Sequence, residues 1–312
     1  MSGTKYLRSV ALGASKEVNT RKLQRALSPV QTLRDGTLDI FRRDCWTPSV
    51  PGVLPKGQFA SLSAVKKWFT ASGATKLESA LHLEYLSKYG DTVVPLELTR
   101  ASIGGATDEK PDGDSFNRFD APLSLFLEWS RSDSRDSLYL AQASLSDLPA
   151  GLRDDLPTPE IVAHAGRGDI YDSNIWIGRA PTYTPLHRDP NPNLFVQLVG
   201  KKTVRLFKPE VGAGVFAHVQ AQLGRQGSAV FRGEEMMQGP ERKLLEEAVW
   251  SEHAPDGFAV ELEQGDGLFI PKGWWHSIKG VGSGITGSVR DFLHASSHLA
   301  YAYQFQANWW FR

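Results

Sequence analysis

The amino-acid sequence predicts a mainly β fold, an antiparallel sandwich or barrel preceded by a helical region, and three observations carry that prediction. From about residue 91 the chain reads as short β-branched and aromatic runs, among them "DTVVPLELT", "NIWIG", "NLFVQLV", "TVRLF", "FAVELE" and "GLFI". Gly, Pro, Asn and Asp punctuate these runs, as they do in antiparallel β proteins. Before residue 90 the apolar side chains recur instead at spacings of three and four, the period of a helix. The change of texture divides the chain into a helical region, residues 1–90, and a β domain, residues 91–312.

Taken in order, the N-terminus sets Lys5, Arg8, Lys16, Arg21, Lys22 and Arg25 against Glu17. That pattern fits a basic surface helix or a mitochondrial presequence. "SLSAVKKWFTA" and "KLESALHLEYLSKYG" read as helices, the second closed by Gly90. The acidic, Gly-rich "GGATDEKPDGDSFN" (104–117) reads as an exposed loop, and residues 210–240 as a second rim loop. One helix interrupts the β region at "ERKLLEEAVWSEH", 241–253. The chain has no internal repeat and no low-complexity tract.

Composition narrows the function classes. Of 312 residues, 41% are hydrophobic and 22% charged, with 35 Lys+Arg against 35 Asp+Glu. A chain so balanced has no field for holding phosphates, so direct sequence-specific nucleic acid binding is not expected. Cys45 is the single cysteine, which excludes an intrachain disulfide and points to a reducing, intracellular compartment, cytoplasmic or nuclear. No run approaches the roughly 20 apolar residues that span a bilayer, so no membrane partner is expected. The sequence leaves the oligomeric state open.

The chemistry concentrates in "TYTPLHRDPNPNLFVQLVGKKTVRLF", residues 182–207. Residues two apart on a strand face one side, so His187 and Asp189 can offer an imidazole nitrogen and a carboxylate oxygen to one point. A third ligand is available downstream in "LEQGDGLFIPKGWWHSIKG", where a Gly-Asp turn and a short strand lead to His276. Two histidines and a carboxylate on one face of an iron leave the opposite positions open for oxygen chemistry. Zinc more often takes three histidines or thiolates. A lone His-x-Asp is commonly a hydrogen-bonded surface pair, so the downstream histidine and the lysine that follows the strand are what raise it above that reading.

"APLSLFLEW", "LYLAQ", "SNIWIG", "TPLHRDPNPNLFVQLVGKK" and "GDGLFIPKGWWH" occur in one order. Over about residues 38–312 the chain resembles the Jumonji C (JmjC) family of Fe(II)- and 2-oxoglutarate-dependent oxygenases in the cupin superfamily. It is most similar to the small JmjC-only protein hydroxylases. The resemblance implies a double-stranded β-helix, or jelly roll, with an N-terminal helical subdomain. It implies that His187, Asp189 and His276 bind Fe(II), that 2-oxoglutarate is the cosubstrate and that O2 is consumed. It makes Lys202 the cation for the far carboxylate of 2-oxoglutarate, with Thr184, Asn193 and Tyr139 as hydrogen-bond partners. Strand alternation sends Lys201 and Lys202 to opposite faces, and Lys201 fits a solvated hairpin lysine. His82, His164, His218, His253, His294 and His298 match no motif. The implied reaction is hydroxylation of a side chain in a protein or peptide substrate, with release of succinate and CO2. N-methyl demethylation of a protein such as a histone is the alternative from the same chemistry, and a non-enzymatic cupin binding module is a third reading. The chain carries no chromatin-reading module and no cysteine-rich zinc domain, which ranks hydroxylation first.

The C-terminus departs from the family pattern, in which a "GSV"-like strand runs straight into an aromatic "NWW"-like ending. Here "RDFLHASSHLAYAYQFQA" separates "GITGSV" from "NWWFR". Val289-Arg290 can be encoded with a splice donor and Gln306 with an acceptor, so residues 289–306 are either a retained intron or a genuine loop. Their removal would leave "GITGSANWWFR". As a loop the segment should bulge from the barrel and let Asn308 to Phe311 rejoin the sheet near His276, with Trp310 lining the pocket.

Overall fold

The computed structural model describes residues 27–72, 78–100, 115–168, 170, 172–224 and 237–292. In chain order the first elements are β1 (Ser28–Pro29), α1 (Leu38–Phe41), β2 (Gly52–Val53), α2 (Ser63–Lys67), β3 (Phe69–Ser72), β4 (Glu78–Leu81) and α3 (Leu83–Leu86). Then come β5 (Val93–Arg100), β6 (Ser115–Pro122), α4 (Leu123–Arg131), β7 (Ser137–Ser144), α5 (Ala150–Arg153) and α6 (Glu160–His164). A run of strands follows: β8 (Asp172–Arg179), β9 (Thr182–Arg188), β10 (Asn193–Val199) and β11 (Lys201–Phe207). After α7 (Pro209–Gln222) and α8 (Gly239–Trp250), the strands β12 (Phe258–Leu262), β13 (Gly267–Ile270), β14 (Trp275–Val281) and β15 (Ile285–Phe292) complete the fold.

Two antiparallel sheets face each other in the predicted jelly roll. The larger has eight strands in the order β2-β13-β10-β15-β8-β7-β5-β6, and the smaller five in the order β1-β12-β11-β14-β9. Phe195, Leu268 and Ile270 of the larger sheet pack against Val204, Leu206, Leu262 and Ile278 of the smaller. The outer face of the larger sheet buries Leu140, Ile175, Ile177 and Val289 with Phe41, Val65, Trp68 and Phe126 of the helical layer. The outer face of the smaller sheet is closed by α7 and α8 through Phe216, Val219, Leu245 and Val249. Coverage on both faces explains the apolar run in β10, every residue of which is buried, as expected for a central strand between two layers. In β11 the burial alternates over its first six residues, with Lys201, Thr203 and Arg205 half-buried on the outer face.

The helical layer differs from its sequence pattern. "SLSAVKKWFTA" forms only the short helix α2 and then enters a hairpin, in which Phe69 pairs with Leu81 and Thr70 with Ala80. Phe69 and Leu81 both bury in the larger core. Spacings of three and four over so few apolar residues fit a helix or a short hairpin, and here packing against the sheet decides. Before residue 91, β1 adds to β12 in parallel and β2 pairs with β13, so this region extends both sheets. Buried Asp155 ties the layer together, accepting hydrogen bonds from Lys67 Nζ at 2.6 Å, Trp68 Nε1 at 2.8 Å and Tyr85 Oη at 2.6 Å. Gly90 follows the 3-10 turn after α3, as predicted.

Two further expectations are corrected. Within the stretch read as a rim loop, Pro209–Gln222 is a helix, begun by Pro209 in its first turn, where the missing N–H costs nothing. The segment from residue 290 is expected to lack strand character, yet β15 runs on to Phe292, pairing Arg290 with Asn174, Asp291 with Ser173 and Phe292 with Asp172. Residues 293–312, with Trp310, lie outside the described residues, as does the basic segment 1–26.

Candidate metal centre

His187 lies on β9, and Asp189 is the first residue beyond that strand. His276 lies on β14, and the β9–β14 register sets His276 directly opposite His187. Their rings are 4.1 Å apart between centroids, at an interplanar angle of 57°. From the Asp189 carboxylate, Nε2 of His187 is 3.9 Å away and Nε2 of His276 3.4 Å. One ligand atom from each residue falls within 4.8 Å of the others, and all three side chains are buried. Among the described residues this is the one group of His, Cys, Asp and Glu side chains arranged to hold a metal ion.

Backbone carbonyls orient the imidazoles. Nδ1 of His187 is 2.8 Å from the Pro185 carbonyl oxygen, and Nδ1 of His276 is 3.4 Å from that of Trp274. A carbonyl only accepts, so each Nδ1 carries the proton and each Nε2 keeps its lone pair for the centre. Asn193 Nδ2 donates to Asp189 Oδ2 at 2.9 Å. Pro190 and Pro192 stiffen the intervening turn and so bring Asn193 back to Asp189. Behind the site, α7 passes so close to β14 that a Cβ on Gly212 would strike the Trp275 side chain. The donor set, two imidazole nitrogens and one carboxylate with fixed tautomers, suits a divalent first-row metal with open positions. It does not resemble a closed structural zinc site.

Thr184 reaches the same face through an irregularity. It lies three positions before His187, an odd offset that strand alternation would send to the opposite side. The β9–β14 register shifts between His276 and Ile278, and Thr184 stands opposite Ile278, which packs between the sheets. The bulge therefore returns Thr184 to the inner face. Its carbonyl accepts from Ser277 Oγ at 2.8 Å.

Lys202 is 2% exposed, whereas Lys201 points outward and binds Glu261 at 2.8 Å and Glu263 at 3.2 Å. On β11 it lies four residues from Leu206, the partner of His276 in the β11–β14 ladder. At a rise of ~3.3 Å per residue, that places it about 13 Å along the strand from the metal group. Lys202 Nζ donates to Ser288 Oγ at 3.0 Å and approaches Tyr139 Oη at 3.4 Å, with the Phe195 ring centroid at 5.6 Å. Tyr139 lies across from Gly178, and a Cβ at Gly178 would collide with its ring. Glycine there lets the phenol lie against β8.

The structure thus brings His187, Asp189 and His276 into one group with Asn193 bonded to Asp189, and separately brings Lys202 to Tyr139. His82, His164, His218 and His253 stand apart from the metal group. Two residues were missed. Ser288 bonds Lys202, and Gln197, opposite Ser288 in the β10–β15 ladder, is fully buried and donates to Thr286 Oγ1 at 2.9 Å. Gln197 was legible as the single polar residue within "FVQLV"; Ser288 carried no local signal.

Comparison with known proteins places these observations in a family. The cupin-like domain family matches residues 39–312. The chain is 28% identical over 246 residues to "Lysine-specific demethylase JMJ30" of Arabidopsis thaliana, covering 78% of this chain and 50% of that protein. It is 25% identical over 282 residues to "Jumonji C domain-containing protein 5" of Drosophila melanogaster, covering 87% and 62%. With "Lysine-specific demethylase 8" of Danio rerio the identity is 31% over 147 residues, covering 46% and 33%. The chain spans about half the length or less of the first curated relatives it matches.

Proposed function

The chain belongs to the cupin-like domain family, and from that premise we propose that it is an Fe(II)- and 2-oxoglutarate-dependent oxygenase that modifies a side chain of a protein or peptide. One observation carries the reading: a buried His187, Asp189 and His276 group and a buried Lys202 share the space between the sheets. A 2-oxo diacid has complementary ends, a chelating 2-oxo acid and a distal carboxylate. Lys202 sets an ammonium on the inner face of the smaller sheet, and a ligand carboxylate is complementary to it. Iron, when bound, supplies O2 activation coupled to decarboxylation of 2-oxoglutarate to succinate and CO2. The chain's residues supply placement and a dry site. The Nδ1 protons of the histidines keep both Nε2 lone pairs aimed inward, Asn193 holds the Asp189 carboxylate, and the sheets exclude water.

Hydroxylation is the preferred outcome, on the resemblance to the small JmjC-only protein hydroxylases. N-methyl demethylation is supported by the names of two relatives, JMJ30 and lysine-specific demethylase 8. Incubation of the full chain with Fe(II), 2-oxoglutarate and a peptide library, read by mass spectrometry, separates the two. Gain of one oxygen supports hydroxylation and loss of a methyl group supports demethylation. No succinate with any peptide, from protein that has bound metal, would overturn the oxygenase reading.

A further inference from the structure

We propose that Ser288 is a positioning residue for the cosubstrate, holding the Lys202 ammonium so that this site accepts a 2-oxo acid with a distal carboxylate. The inference rests on the cosubstrate reading above and deepens it. Ser288 sits on β15 of the larger sheet and Lys202 on β11 of the smaller, so their 3.0 Å hydrogen bond crosses the interior between the layers. Both side chains are buried. A lysine has four rotatable carbons, and an ammonium on so long a stem is precise only when something holds it. Ser288 holds it from β15, and the Tyr139 hydroxyl lies 3.4 Å from it, from β7.

The place of Ser288 is itself determined. The β10–β15 register shifts between Gln197 and Val199, where a ladder would otherwise be loose. There the Gln197 amide spans the gap, donating to the Val199 carbonyl at 2.6 Å and to Thr286 Oγ1 at 2.9 Å. Its partner across the ladder is Ser288. The bulge is thus locked with the hydroxyl facing Lys202.

The test measures binding to Mn(II)-loaded full chain by calorimetry, with 2-oxoglutarate and with 2-oxobutanoate, which lacks the distal carboxylate. Ser288→Ala should raise the Kd for 2-oxoglutarate about tenfold, the size of one hydrogen bond to a charged group. It should leave the Kd for Mn(II) and for 2-oxobutanoate unchanged, which also reports an intact fold. In a Lys202→Met background, Ser288→Ala should have no further effect. A 2-oxoglutarate Kd within twofold of the wild type overturns the assignment. So does an equal loss for 2-oxobutanoate, or an undiminished loss in the Lys202→Met background. A wild-type protein that binds Mn(II) but no 2-oxoglutarate removes the cosubstrate reading itself, and the assignment with it.

Discussion

Lys202 carries its charge into a space where 2% of the residue meets solvent, while its neighbour Lys201 stays at the surface among Glu261 and Glu263. The two differ by one step along β11, and alternation turns that step into opposite environments. Lys202→Ala should weaken 2-oxoglutarate binding by 100-fold or more, because truncating one partner of a buried charge pair costs about 3–5 kcal/mol. Lys201→Ala should change it by less than about fivefold, as exposed ion pairs contribute about 0–1 kcal/mol. Titration of both variants by calorimetry checks this, and equal losses would place the cosubstrate elsewhere. At the same scale, Asp189 and His187 were readable from their spacing of two, because facing on a strand is a local property. Ser288 was not readable, because its value lies in a partner on the opposite sheet.

Elements behind the site control it at one remove. Helix α7 meets β14 where Gly212 lies on the Trp275 side chain, one residue from His276. Gly212→Val must move the indole or the helix, and overpacking of this kind costs about 1–3 kcal/mol. The expected result is a lower Tm together with weaker metal binding, whereas Gly214→Ala, with open space around its added Cβ, should leave metal binding unchanged. A second element-scale test concerns Asp155, which joins α2 and α3. Burial pushes its carboxyl up, but the hydrogen bonds from Lys67, Tyr85 and Trp68 outweigh burial and hold it below the ordinary carboxylate value. A lowered folded pKa stabilises the protein above the unfolded value, about 3.9, and that stabilisation is lost as pH falls through the folded one. Asp155→Asn should therefore cost about 1–3 kcal/mol at pH 7. Urea unfolding at several pH values should show the gap to wild type closing only below about pH 4. A gap that closes near pH 6 would assign the loss to another group.

For the whole molecule, metal binding should read out as stability. All three proposed ligands belong to the β9 and β14 edge of the smaller sheet. A ligand that binds only the folded state adds about 2.7 kcal/mol at 100 times its Kd. For a chain of this size that raises Tm by roughly 4–6 °C. Calorimetric scans with Fe(II) under nitrogen should show this shift in the wild type and none in Asp189→Ala. The same variant should produce no succinate. An equal shift in Asp189→Ala would mean that the metal binds elsewhere.

The class of fold, the His187 and Asp189 pair and the opposite facing of Lys201 and Lys202 were legible in the sequence, because periodicity within a few residues is translated by a strand directly into facing. The choice of Lys202 as the inward lysine came from the family resemblance. Residues 69–72 and 78–81 were misread as helix, because so short an apolar pattern satisfies a helix and a hairpin equally, and burial of Phe69 and Leu81 against the sheet made the choice. The face of Thr184 agreed with the resemblance but not with alternation, and the bulge between β9 and β14 reconciled them. That His276 stands opposite His187 and that Ser288 meets Lys202 emerges only in the folded molecule. Those meetings are set by strand register and by the packing of two sheets, which arise from long-range pairing and leave no mark on the spacing of neighbouring residues.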